Sequence, residues 1–292
     1  MAKSTILRGM TRDGSARVMV INSRELVNEM IRVHRTAPTA TAALGRLVTA
    51  SSMIGTMLPE NGDTVTLNFT SEGEIGKMIA VADYFGNVKS YIKNPLADPK
   101  RKPNGKLDVS TAVGAGSFSV IKDVGGKEPV CGTIEIVSGE IAEDIATYYA
   151  KSEQIPTLLS LGVLVDKDYS CLAAGGVLVQ LLPFPEEETV GLIERNAADL
   201  SNISTLFKEG KSNEEIFAIA MRDIPFDLFD EIEVEYKCDC SKERMRRKIA
   251  SLGKTEILNM LNEQEQEGKA RELCAICRFC NSQYTFKESD LI

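Results

Sequence analysis

The chain contains one histidine, His34, and no tryptophan. A metal site built on imidazoles is therefore excluded, and any triad or acid–base scheme that needs histidine must use His34. That residue lies in "MIRVHRTAPTA", at an expected helix end before Pro38, where a capping or packing role is the simpler reading. Long hydrophobic runs are missing too. No stretch approaches the roughly 20 apolar residues of a membrane span, and "MAKSTILRGMTRDGS" lacks the apolar centre of a signal peptide. The expected compartment is the cytoplasm, with no membrane association. Excess basic charge is also absent: a net charge of −8 disfavours broad attraction to nucleic acid or anionic membranes. No Gly-rich loop leads into GK[ST]. Gly114 and Gly116, in "VGAGSFSVIKDVGG", read as a hairpin turn rather than a phosphate cradle.

What is present fits a globular protein of the α+β class. The 292 residues are 43% hydrophobic and 26% charged, enough for two domains and a sizeable core. "SARVMVIN" alternates as a strand does, and "SRELVNEMIRVHR" opens with Ser23 as N-cap and sets Leu26, Met30 and Val33 on one helical face. "TATAALGRLVTASSMIGTML" predicts a long helix of small residues suited to close packing on a sheet. From Asp63 to about Pro129 strands and turns dominate, followed by a helix in "SGEIAEDIATYYAKSEQIPT" and two strands in "LGVLVDKDYSCLAAGGVLVQLLPF". Cys131 and Cys171 lie in strand-like runs and read as buried small hydrophobes.

Pro183, Pro185 and an acidic run then mark a boundary. Helical spacing follows through residue 222, with Ser212 and Glu215 in a capping-box pattern. Leu192, Ile203, Leu206 and Phe207 form apolar positions in these helices that serve either as ordinary core or as a masked binding face. The expected organisation is an N-terminal β-sheet core with packed helices over 1–185, a helical middle segment over 186–231, and a small cysteine module over 232–292.

Five of the seven cysteines fall in that last module: Cys238, Cys240, Cys274, Cys277 and Cys280. Short cysteine pairs separated by a longer insert suit a tetrahedral metal, and four thiolates leave no open position for catalysis. Ser241 is the expected N-cap of "KERMRRKIASL", so the helix N-terminus and Lys242, Arg244, Arg246 and Arg247 should favour thiolate at the neighbouring Cys238 and Cys240. Gly253 should end that helix, with a second over 255–262. Two short helices bury little surface, so a bound metal would supply much of the folding free energy, roughly 10–16 kcal/mol in small zinc peptides. Thiolates are also what oxidants attack. Coupling Cys238 to Cys240 and Cys277 to Cys280 would destroy the ligand set and the module's fold.

The motifs "CDCSKERM", "SLGKTEI" and "CRFCNSQYTF", with "HRTAPTATAALGRLVTA", "SEQIPTLLSLGVLV" and "AAGGVLVQLLP" upstream, resemble the heat shock protein 33 family of redox-regulated bacterial holdase chaperones. The resemblance runs in order along nearly the whole chain. It implies a cytoplasmic, ATP-independent chaperone rather than an enzyme, inactive when reduced and bound to one Zn2+. Oxidation then forms disulfides Cys238–Cys240 and Cys277–Cys280, releases the metal and loosens the middle segment. The exposed apolar surface holds unfolding client proteins, often with homodimerisation. By motif the metal ligands are Cys238, Cys240, Cys277 and Cys280, which leaves Cys274 extra. The insert of 36 residues between Cys240 and Cys277 is longer than the family's; pairing Cys274 with Cys277 would leave 33. Two other readings remain: a zinc module docking nucleic acid or protein through "SKERMRRKIASLGK", opposed by the adjacent "EQEQE", and a thiol-disulfide oxidoreductase, opposed by a CxxC near the chain end before a strand.

Overall fold

The computed structural model describes residues 3–126 and 128–292. The chain divides into two units, Met1–Lys237 and Cys238–Ile292.

The first unit begins with strands β1 (Ser4–Thr11) and β2 (Ala16–Asn22), then helices α1 (Arg24–His34) and α2 (Pro38–Gly55). Strands β3 (Thr64–Ser71), β4 (Lys77–Asp83) and β5 (Val88–Ile92) lead to the short helix α3 (Val109–Val113), then β6 (Gly116–Asp123) and β7 (Val130–Glu135). Helix α4 (Ala142–Tyr148) widens into a π-helical turn, Tyr149–Glu153. After β8 (Thr157–Val165) and β9 (Cys171–Leu181) come α5 (Glu187–Ala197), α6 (Ile203–Lys208), α7 (Asn213–Ala220) and β10 (Phe226–Val234). Two antiparallel sheets result, ordered β10-β1-β2-β9-β8 and β5-β4-β3-β6-β7.

The first sheet is apolar on both faces, which explains why β9 reads as a nearly continuous apolar run. In β2, Met19 and Ile21 enter the cluster built around α1, α2 and the second sheet, while Val18 and Val20 enter a different cluster with α5, α6 and α7. β9 divides likewise, Ala174 and Leu178 to one side and Val177 and Val179 to the other. Helix α2 is buried along its length apart from Arg46. Its alanines, serines, threonines and glycines keep it thin enough to run between two sheets, and a helix without a polar face belongs in a core.

Helix α6 docks on two glycines. Gly162 and Gly175 face each other across β8 and β9. A Cβ on Gly162 would lie 2.6 Å from the Ser204 nitrogen, and one on Gly175 would overlap the Phe207 ring. Ile203 and Phe207 are buried on this saddle, with Leu192 and Leu206 half-buried around them. Ser212 and Glu215 cap α7 reciprocally, at 3.2 and 2.8 Å.

Several local expectations are corrected. Gly114 and Gly116 do not form a hairpin turn: Asp108 caps α3 by accepting from the Thr111 amide at 3.2 Å, Gly114 ends that helix at φ +69°, and Gly116 starts β6. Cys131 is exposed rather than buried, because β7 is an edge strand; Cys171 is buried. Ser23 stands at the N-cap of α1, but its hydroxyl pairs with Thr49 Oγ1 at 2.7 Å instead of capping. His34 packs, its Nε2 lying 2.9 Å from the Ser90 carbonyl and 3.0 Å from the Tyr236 hydroxyl, and burial lowers its pKa so that the ring stays neutral. The segment after β10 is pinned beside β5: the Val88 amide donates to Glu235 O at 3.0 Å and the Lys237 amide to Val88 O at 2.9 Å. Among the described residues no helix is long and apolar enough to cross a membrane.

The second unit contains α8 (Lys242–Ala250), α9 (Lys254–Gln266), the hairpin β11 (Glu272–Ile276) and β12 (Gln283–Lys287), and α10 (Glu288–Leu291). Its buried core is Ile257, Leu261, Leu273, Phe286 and Leu291.

Asp13, in the turn between β1 and β2, ties that turn to α5 by accepting from Ser15 N and Oγ at 2.9 and 2.8 Å and from Thr189 Oγ1 at 2.6 Å. Burial raises its carboxyl, but hydrogen bonds from Thr11, Thr189 and Ser15 outweigh this and hold it well below the usual carboxylate range. A depressed folded pKa stabilises above the unfolded value of about 3.9 and is lost as pH falls through the folded value. Asp13→Asn should therefore melt below the parent at pH 7, and the gap should close as the pH is lowered from about 4; a gap unchanged at acid pH would refute the assignment.

Candidate metal centre

Cys238 and Cys240 lie outside regular secondary structure, both half-buried on either side of exposed Asp239. Asp239 between them turns instead to an ion pair with Arg244. The second pair sits in the loop between β11 and β12. There the Cys277 carbonyl accepts from the amides of Asn281 at 2.7 Å and Cys280 at 3.4 Å, and the Cys277 amide donates to Ser282 O at 2.9 Å. Asn281 closes this knuckle in the left-handed conformation, φ +57°, which Asn tolerates better than most residues.

These two local geometries bring four sulfurs together. The Sγ atoms of Cys238, Cys240, Cys277 and Cys280 all lie within 4.8 Å of one another. Cys238 Sγ is 3.7 Å from Cys277 Sγ, and Cys240 Sγ is 3.3 Å from Cys280 Sγ. Four thiolates on a tetrahedral zinc, each about 2.3 Å from it, would stand about 3.8 Å apart, so the donor set fits a thiolate-bound metal. Cys274 is not in the cluster. It pairs with Thr285 in the hairpin and is exposed, because strand alternation sends Leu273 inward and Cys274 outward.

The electrostatics differ from the sequence expectation. Ser241 does cap α8, accepting from the Arg244 amide at 3.2 Å. The nearby cations, however, serve carboxylates: Arg244 pairs with Asp239, Arg246 with Glu243 at 2.9 Å, and Lys242 with Asp290 at 3.8 Å. Burial accordingly pushes the Cys238 thiol well above the ordinary thiol range, and burial also raises Cys240. Cys280 goes the other way. Burial raises it, but hydrogen bonding with Ser282, through its hydroxyl 3.2 Å away and its backbone, brings it down to about 7. Four neighbouring thiolates repel one another, so all four ionise together only around a cation.

Two supporting groups were not singled out for a role in the sequence. The Tyr284 hydroxyl lies 3.1 Å from Cys240 Sγ and donates to it, and this bond pushes the phenol up to about 12. The Ser282 hydroxyl pairs with Cys280 Sγ at 3.2 Å. Their signal was the strand alternation of "NSQYTF", which places Ser282 and Tyr284 two apart beside the sulfurs. The same ion pairs occupy the basic residues of α8 and leave little bare positive charge for a nucleic-acid face.

Chaperone relatives emerge from comparison with known proteins. The profile of the Hsp33 protein family matches residues 4–287. The 33 kDa chaperonin of Acetivibrio thermocellus is 40% identical over 287 residues, 98% of this chain and 95% of that protein. That of Clostridioides difficile is 41% identical over 288 residues, 98% and 97% of the two chains. The crystal structure of a 33 kDa chaperonin, a heat shock protein 33 homolog from Thermotoga maritima, superposes with a TM-score of 0.90 at 33% identity, covering 99% of this chain and 97% of that one.

If the four gathered sulfurs are the ligands, Cys277→Ser should lose bound zinc while Cys274→Ser keeps one equivalent, read by a chelator-release assay. Tight zinc retained in Cys277→Ser would point to Cys274 as a ligand. Tyr284→Phe should keep the stoichiometry but release zinc to a competing chelator about tenfold more readily, the low end of the effect of losing such a supporting contact; an unchanged release would remove Tyr284 from the site.

Proposed function

The chain belongs to the Hsp33 family, and from that premise we propose that it is a redox-regulated, ATP-independent holdase of the cytoplasm, kept inactive by Zn2+ on Cys238, Cys240, Cys277 and Cys280. The gathered sulfurs carry the reading. When bound, zinc supplies the positive charge that lets four thiolates coexist and cross-links the two ends of a unit whose buried core is five side chains.

No two of the seven cysteines are joined by a disulfide. Under oxidants such as peroxide, each pair loses two electrons: Cys238 bonds to Cys240 and Cys277 to Cys280, and each disulfide formed reduces one hydrogen peroxide to two waters, taking up two protons if the sulfurs start as thiolates. The sulfurs then no longer serve as ligands, and the C-terminal unit loses its main cross-link.

The apolar surface is available in the first unit. The face of the first sheet under α5, α6 and α7 carries Val18, Val20, Val177 and Val179. Loosening those helices uncovers it for unfolding client proteins, and a second copy of the chain can use the same face to dimerise. The fit of α6 on Gly162 and Gly175 makes this layer sensitive to small displacements. Independence from ATP is supported by Gly114 and Gly116, which lead into a strand rather than a phosphate-binding helix.

Oxidised protein, treated with peroxide at elevated temperature, should suppress light scattering by a heat-unfolded client and release its zinc, while reduced protein should do neither. Equal protection by both forms, or aggregation with both, sinks the reading. Gly175→Ala should lift α6 from the sheet and give measurable protection without oxidant. If that variant does not fold, Gly162→Ala tests the same point. Displacement of α6, seen by limited proteolysis, with no gain in protection would place the client surface elsewhere.

A further inference from the structure

Arg17 and Gln180 are out of place. They are directly opposite each other in β2 and β9, on the sheet face that Met19 and Leu178 line with apolar atoms. Gln180 is 1% exposed, and its Nε2 donates to Thr157 Oγ1 at 3.0 Å, which leaves Oε1 buried without a hydrogen-bond partner. The Nε of half-buried Arg17 is likewise buried and unpartnered, and no ion pair to Arg17 occurs among the described residues. Native proteins seldom leave such groups without a use.

Both residues line one cavity of about 240 Å³. Its apolar wall comes from the end of α2 and the residues after it, Ile54, Met57 and Leu58, with Val65 of β3. Lys122 of β6 and the π-helical turn, through Tyr149 and Glu153, add polar groups to the wall. Such turns interrupt a helix at a cost and recur at functional sites. Lys122 and Glu153 neutralise each other at 2.7 Å, so Arg17 leaves the cavity with one uncompensated positive charge. Burial keeps the Tyr149 phenol protonated, hence a donor.

We propose that this cavity is a binding site for a small aliphatic carboxylate bearing a hydrogen-bond donor beside its acid group, the chemistry of an apolar α-amino acid. The carboxylate pairs with the Arg17 guanidinium, whose planar fork matches it. The adjacent donor satisfies Gln180 Oε1, and the side chain packs against Ile54, Met57 and Leu58. The volume falls just below the roughly 300–1,000 Å³ of drug-sized sites, which limits the occupant to a molecule of this size. The site lies wholly within Met1–Lys237 and is independent of the cysteine centre.

L-leucine is the probe, titrated at millimolar concentration into the full-length reduced protein and followed by amide chemical shifts and by the melting temperature. Saturable binding with a raised melting temperature is expected. Leucinamide, which lacks the carboxylate, and 4-methylpentanoate, which lacks the donor, should each bind about tenfold more weakly or worse, the loss expected when a charged or buried hydrogen-bonding group goes unpaired. Arg17→Met should abolish the preference for L-leucine over leucinamide. Gln180→Leu, which returns an apolar residue to an apolar face, should abolish the preference over 4-methylpentanoate and keeps the test alive if Arg17→Met does not fold. No saturable binding, or binding that neither variant alters, would show that solvent alone satisfies these groups and overturn the proposal.

Discussion

A five-stranded sheet that is apolar on both faces must be covered twice, and the architecture of the first unit follows from that requirement. One cover is permanent in character: α2 is buried along nearly its whole length, and the second sheet closes over it. The other is made of α5, α6 and α7, which are 11, 6 and 8 residues long. Isolated helices shorter than about 12–15 residues are marginal in water, so these hold their shape chiefly by packing on the sheet. Burying a Val, Leu, Ile or Phe side chain contributes roughly 1.5–3 kcal/mol, so Ile203 and Phe207 supply much of what holds α6 in place. In the proposed function this is the cover that loosens, in a step smaller than global unfolding.

The second unit faces the opposite problem, too little to bury. Its five core side chains serve the span from Cys238 to Ile292, and domains approaching this size commonly lean on a metal or disulfides. Cysteine solves both needs with one element, because the sulfur that binds a cation when reduced can bond to another sulfur when oxidised. The two outcomes cross-link different partners. Cys238 lies 3.7 Å from Cys277 and Cys240 3.3 Å from Cys280, contacts that run between the pairs, whereas the proposed disulfides run within them. The first arrangement holds the unit's two ends together; the second releases them.

Much of this was legible in the chain because it is local. The caps at Ser212 and Ser241, the long small-residue helix, and the spacings CxC and CxxC are written in a few consecutive residues. The failures share a cause. Cys131 reads like Cys171, but nothing near it says that β7 lies at a sheet edge. The Asp108 cap of α3 hides a five-residue helix inside a region of strands. Arg17 and Gln180 are 163 positions apart, and only the register of β2 against β9 makes their buried polarity visible as one feature. By position the arginines of α8 are neighbours of thiolates, yet Asp239 and Glu243 claim them. Which cysteine stays outside the centre is decided by the alternation of β11, a property of the hairpin and not of cysteine spacing.

The pinning of Glu235 and Lys237 beside Val88 bears on reversibility. Cys238 follows Lys237 directly in the chain, and Cys277 lies beyond an insert of 36 residues after Cys240. Closing a loop of that length costs about 3 kcal/mol of chain entropy, and short tethers hold their ends at effective concentrations in the millimolar range. In the proposed switch, the separated pairs meet again as parts of one molecule once reductant returns. That meeting does not depend on protein concentration, whereas reduction and metal rebinding depend on the supply of reductant and zinc.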